Sequence, residues 1–230
     1  MMREDAFDAY AGAYDAALNR GLSLSGESKT YFARTRIQWT ASRLEQSGWR
    51  PQHVLDFGCG TGDSATELLE QLQAATVTGV DTSPESIAVA TERYATGLVR
   101  FATIDAIRPS GQYDLVYCNG VFHHIDPDRR SSALAFIWQS LSSNGCLAFW
   151  ENNPWNPGTR LVMRRIPFDR DAKLLSPPAA RRLLRGTGFE VASTDFLFLF
   201  PRLLAALRPL EARLARIPAG AQYLVLCRRR

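Results

Sequence analysis

Lysine is nearly missing from this chain of 230 residues: Lys29 and Lys173 are the only two, set against 25 arginines. A basic surface of that kind grips phosphate and carboxylate through planar guanidinium forks rather than through mobile point charges. Histidine is scarce as well, so any imidazole chemistry must come from His53, His123 or His124. The four cysteines (Cys59, Cys118, Cys146, Cys227) share no metal-ligand spacing, and three lie in predicted strands or turns. They read as reduced core thiols of a cytoplasmic protein, and no metal site is expected. No run of 18 apolar residues exists, which excludes a helical membrane span. The first residues, Met-Met-Arg-Glu-Asp-Ala-Phe-Asp, are acidic where a secretory signal is basic and then apolar. Repeats, low-complexity tracts and Pro/Gly/Ser-rich linkers are missing too, so a single domain is expected.

Charge is unevenly placed. Residues 1–159 carry 12 basic and 18 acidic side chains, whereas residues 160–230 carry 15 basic and 5 acidic ones. The asymmetry suggests an anionic partner for the carboxyl-terminal part: an acidic substrate or a membrane surface.

What is present is concentrated in residues 54–62, Val-Leu-Asp-Phe-Gly-Cys-Gly-Thr-Gly. An apolar run ends in Asp56, glycines follow at 58, 60 and 62, and Ser64 to Glu67 fits a capping box ahead of Leu68, Leu69 and Leu72. This is strand, tight turn, helix. Such a turn is expected to aim unpaired backbone N–H groups at a ligand above the strand, suiting an anionic group such as a carboxylate. A dinucleotide fingerprint needs G-x-x-G after the first glycine pair, but Asp63 stands three residues beyond Gly60, and a P-loop would need G-K-[ST]. No Tyr-x-x-x-Lys pair supports an oxidoreductase of the same architecture.

Further strands are predicted at Ala75–Asp81, Val99–Ala106 and Tyr113–Asn119. Asp81 falls about 20 residues past the glycine turn, where an open α/β sheet sets an acid against a ribose diol. Ser83-Pro84 starts the intervening helix. His123 and His124 follow the fourth strand. A helix over Asp128–Ser142 and an Asn144-Gly145 turn lead to a fifth strand, Cys146–Trp150, which ends at Glu151.

In order and spacing these runs resemble the motif series of class I S-adenosylmethionine-dependent methyltransferases. The likeness covers roughly residues 50–155 and is closest to the small-molecule type, similar to quinone and natural-product methyltransferases. It implies an α/β fold with a Rossmann-like, seven-stranded, mostly parallel sheet flanked by helices, the last strand antiparallel. It also implies S-adenosyl-L-methionine as cofactor. Asp56 with Gly58, Gly60, Thr61 and Gly62 would hold the methionine portion, Asp81 and Thr82 the ribose, and Asp105 with Ala106 the adenine. Asn119 would line the methyl side. On this reading residues 1–230 form one domain: a helical cap (1–50), a cofactor core (51–155), and a substrate side with a β hairpin and helical insert (156–230).

The flanks carry the remaining expectations. Phe7, Tyr10, Ala11, Tyr14 and Leu18 share one helix face, and Tyr14 is a candidate substrate contact. A second helix spans about Glu27–Ser47. The Asn-Pro-Pro-Tyr signature of base and amide methyltransferases is missing after the fourth strand, where Asn119-Gly120-Val121-Phe122 stands, so no nucleic-acid partner is expected. Arg160 and Arg164 are expected to reach into the cleft and meet an anionic or amphiphilic acceptor. His124 or Glu151 is the candidate base for a hydroxyl or carbon acid. Strands are predicted at 189–200 and 222–228. Between them Leu203, Leu207, Leu210, Leu214 and Ile217 form an amphipathic stripe that can meet a membrane, cover substrate or pack on the domain. The alternative function is a non-catalytic cofactor-binding or membrane-associated accessory protein.

Overall fold

The computed structural model describes residues 25–166 and 172–230. The expected helix through Phe7, Tyr10, Tyr14 and Leu18 lies outside them. The first half runs α1 (Lys29–Gln46), β1 (His53–Phe57), α2 (Ala65–Gln71), β2 (Thr76–Asp81), α3 (Pro84–Tyr94), β3 (Val99–Thr103) and β4 (Tyr113–Asn119). The second half runs α4 (Pro127–Ser140), β5 (Leu141–Asn152), α5 (Pro157–Arg165), α6 (Pro177–Gly186), β6 (Phe189–Leu197), α7 (Glu211–Leu214) and β7 (Gln222–Arg229).

The strands form one seven-stranded sheet in the order β3-β2-β1-β4-β5-β7-β6. The first five are parallel, and β7 runs antiparallel to both β5 and β6. Order reverses between β1 and β4, and open sheets of this kind bind ligands outside the carboxyl ends of the strands at that point. Alternate side chains supply two cores. Leu55, Phe57, Cys118, Phe149 and Val225 face α4 and α6. Val54, Tyr117, Ala148, Trp150 and Leu224 face α1 and α2. Ser28 caps α1 through the Tyr31 N–H at 3.1 Å, and Ser83 caps α3 through the Ser86 N–H at 3.1 Å.

α1 is fixed across the antiparallel end of the sheet. Asp195, fully buried, takes two bonds from Arg43 (2.7 and 3.1 Å) and one from Trp39 Nε1 (3.1 Å). Trp150 Nε1 donates to Thr40 Oγ1 at 3.0 Å. Sequence-distant elements are thereby locked around the cleft by satisfied buried polar groups.

Four expectations need correction. Ser64 makes no side-chain cap bond and is itself helical, because the chain already turns at Gly62, whose carbonyl accepts the Ala65 N–H at 3.0 Å. β3 stops at Thr103, and Asp105 and Ala106 sit in an exposed 3-10 turn over Ile104–Ala106. Asn144-Gly145 is not a separate turn before β5. It belongs to a bulged entry to that strand, where pairing passes from Tyr113↔Leu141 to Leu115↔Cys146. Residues 201–218 do not form one α-helix. Arg202–Leu210 is wound as 3-10 turns with a kink at Leu204 (φ −108°, ψ 24°), Pro209 lacks the N–H that an α-helix would use, and only Glu211–Leu214 is α.

Candidate active site

The glycine turn crosses the carboxyl end of β1 beside β2. Gly58 has φ +74°, and a Cβ there would run into the Val121 side chain. Gly60 has φ +52°, and a Cβ there would enter open space. One glycine therefore closes the protein's packing and the other leaves room above the turn. Gly62 packs against Ala90 of α3.

The expected cradle of free N–H groups is not what forms. Gly58 and Cys59 donate to Val80 O at 2.8 and 3.0 Å, and Gly62 donates to Cys59 O at 3.0 Å. Gly60 N–H is taken by Asp81 Oδ2 at 2.9 Å, while Asp81 Oδ1 accepts from Ser83 N at 3.0 Å. Asp81 thus holds the turn as well as standing at the cleft. The turn contributes close approach more than donors.

Asp56 is 3% exposed, and its Oδ2 has no hydrogen-bond partner. Burial, reinforced by the Asp81 carboxylate and opposed by the Arg36 guanidinium, pushes its carboxyl up to about 7. An orphaned acid beside an open glycine fits a ligand bearing positive charge. S-adenosylmethionine carries both an ammonium and a sulfonium, so the residues present suit it.

A cavity of about 550 Å³ opens at the carboxyl end of β4, with Asn119, His123, His124 and Arg36 among its lining residues, whereas Asp56, Gly58 to Gly62 and Asp81 are not among them. Its walls are largely apolar: Tyr31 and Phe32 of α1, Leu161 to Met163 of α5, and Phe198 to Phe200 after β6. Arg36 is 7% exposed and bonds Tyr117 Oη (3.3 Å) and Gln222 Oε1 (2.9 Å). Arg208 is anchored by Glu27 at 2.7 Å and lies over the Tyr31 ring at 4.6 Å.

Glu151 is 1% exposed and fully engaged, its Oε1 accepting the Phe122 N–H at 2.7 Å and its Oε2 facing His123 Nδ1 at 2.6 Å. It therefore touches the cavity through His123. His124 lies against His123 with ring centroids 4.1 Å apart and the planes tilted by 49°. Arg160 and Arg164 are exposed and do not line the cavity, contrary to expectation. Helix α5 turns Met163 inward and sets Leu161 and Val162 at the cavity's edge, which leaves the arginines outside. Arg36 and Arg208 line the cavity with no sequence motif to mark them. Arg36 lay inside a predicted helix with no neighbouring motif, and the tertiary placement of that helix is what brings it in.

Residues 55–147 match the family model described as a methyltransferase domain. A trans-aconitate 2-methyltransferase of Methylobacterium nodulans is 33% identical over 147 residues, 64% of this chain and 53% of that protein. A Deinococcus radiodurans protein of the same name is 36% identical over 41% of this chain and 36% of its own. Residues 55–147 carry a methyltransferase domain, and the chain is similar to the class I S-adenosylmethionine-dependent methyltransferases. S-adenosyl-L-methionine is the cofactor this likeness points to. The chain spans about half the length of the first curated relatives it matches. Magnesium protoporphyrin IX methyltransferase from Synechocystis shares the fold of this methyltransferase domain with a TM-score of 0.65 at 18% identity, covering 99% of this chain and 98% of that one.

Proposed function

We propose that the protein transfers a methyl group from S-adenosylmethionine to an oxygen or carbon of a small amphiphilic acceptor bearing one acidic group. The observation that carries this is the composition of the 550 Å³ cavity: aromatic and aliphatic walls with one deeply buried guanidinium, Arg36, beside the cofactor acid Asp56. Trans-aconitate, the compound named for the relatives, carries three carboxylates. A mostly apolar cavity, with Arg208 already paired to Glu27, favours fewer charges and more hydrocarbon.

In this reading Asp56, Gly58, Gly60, Thr61, Gly62, Asp81, Thr82, Asp105, Ala106 and Asn119 hold the cofactor. When bound, S-adenosylmethionine supplies a methyl carbon with a thioether leaving group. The chain's own work is positioning, exclusion of water and removal of the acceptor's proton. His123 takes that proton on Nε2 while Glu151, bonded at Nδ1, orients the ring and stabilises the imidazolium; His124 packs against it at a tilt. The 1–230 chain acts as one domain, with residues 51–155 as cofactor core and 156–230 as acceptor side.

The test is thioether release by the full chain against matched acceptors of equal hydrocarbon size bearing zero, one or three carboxylates. Highest kcat/KM on the monoacids supports the reading. Preference for the triacid, or cofactor binding without turnover on any of them, overturns it.

A further inference from the structure

Among the described residues eight large apolar side chains are exposed, and seven of them sit on two elements that flank the cavity. Trp155 (51%) and Leu161 (47%) belong to the α5 side. Leu203 (93%), Leu204 (44%), Leu207 (41%), Leu210 (43%) and Ile217 (49%) belong to the segment after β6. Both elements also supply cavity wall: Leu161 and Val162 from one, Phe200, Pro201 and Arg208 from the other. Monomeric proteins rarely leave such a cluster in water without a use for it.

The charged residues on these elements share one sign at the surface. Arg160, Arg164 and Arg165 are exposed on α5, and Arg202, Arg213 and Arg216 on the later segment. The acid of residues 201–218, Glu211, is 8% exposed and turned inward, accepting the Phe198 and Phe200 N–H groups at 3.0 and 3.1 Å. Leu207 and Leu210 lie one three-residue turn apart in the 3-10 helix, the spacing that stacks side chains on one face.

We propose that this oily, arginine-rimmed surface docks on an anionic lipid bilayer, with the two elements on either side of the cavity engaging the membrane together. Leucine tips and a tryptophan enter the headgroup region while guanidinium groups pair with lipid phosphates. The arginines expected in the cleft, Arg160 and Arg164, thereby gain a ligand outside it. A second copy is a poorer occupant, because a two-fold contact would bring arginine against arginine. The inference concerns binding alone and stands apart from the identity of the acceptor.

The test is sedimentation of the full chain with extruded vesicles of phosphatidylcholine, with and without one-third phosphatidylglycerol. Binding to the mixed vesicles, weakened by salt, is expected, with little on pure phosphatidylcholine. The double variant Leu203→Glu/Leu207→Glu should lose about tenfold or more in vesicle affinity, and Arg160→Glu/Arg164→Glu a comparable amount. Leu98→Glu, at a side chain 53% exposed but at the amino end of β3, should bind like the parent. Circular dichroism and melting temperature check that each variant folds. Full affinity in the leucine variant overturns the proposal. So does failure of the parent to bind, and a change in its sedimentation coefficient on substitution would then assign the face to a second copy.

Discussion

Asp81 Oδ2 accepts the backbone N–H of Gly60 at 2.9 Å, so the acid that ends β2 shapes the turn that ends β1. Removing it deprives two N–H groups, those of Gly60 and Ser83, of their acceptor. Asp81→Ala should weaken S-adenosylmethionine binding by about 1–3 kcal/mol, the usual cost of unmatched buried polar partners. Titration calorimetry checks this. An unchanged affinity would remove Asp81 from the cofactor site.

Gly60→Val puts a branched side chain into the open space above the turn at φ +52°. Binding should be abolished while the fold survives, since nothing in the protein is struck. The strained conformation should cost about 1–2 kcal/mol of stability. Parallel melting curves and cofactor titration separate the two effects.

Asp56 couples binding to pH. Its carboxyl, raised to about 7 by burial and by Asp81, is neutral in the folded protein where an unfolded aspartate is already charged. The sign follows: the contribution of this group to the stability of the cofactor-free fold falls as pH rises from about 4 through 7. Cofactor affinity should move the other way, rising up to about pH 7 and then levelling, because the ionised acid pairs with the ligand's positive charge. Asp56→Asn should stabilise the cofactor-free protein by about 1–3 kcal/mol at pH 8 and flatten the affinity profile. A pH-independent affinity in the parent would remove this role from Asp56.

The sheet and the cofactor turn were legible because they are local. Asp56-x-Gly58-x-Gly60-x-Gly62 needs its glycines where they stand, and Ser83-Pro84 announces α3 within two residues. Partnerships made across the fold were not legible. Nothing near Glu151 in sequence predicts its bond to His123, 28 residues away, and nothing near Arg36 predicts Tyr117 or Gln222. The leucine stripe after Pro201 was visible, but the kink at Leu204 and the missing N–H of Pro209 break the helix it implies and so change which side chains align.

His123 and Glu151 should separate in kinetics. His123→Ala should lower kcat by about 10²–10⁴-fold with little change in KM, the range for a lost general base. Glu151→Gln keeps the shape but weakens the hold on the imidazolium, so kcat should fall less and the pH–rate profile should shift. His124→Ala should have the smallest effect on kcat. If His124→Ala proves the most damaging, the base is His124 and Glu151 is structural.

Acceptor charge should be read by Arg36 and not by the arginines of α5. Arg36 is 7% exposed, lines the cavity and is held by Tyr117 and Gln222. Arg164 is exposed and outside the cavity wall. Arg164→Ala should leave kcat/KM within about twofold of the parent on acidic and neutral acceptors alike, as expected for a surface change. Arg36→Met keeps the bulk but removes the charge and its fork. It should cost about 10–100-fold on acidic acceptors, the loss of one charge-assisted contact, and far less on neutral ones. Arg36 also neighbours Asp56, so cofactor affinity must be measured in the same variant and Arg36→Lys compared, which retains the charge. Equal losses on both acceptor classes at matched cofactor saturation would make Arg36 a support for the fold and leave recognition of the acid to Arg208.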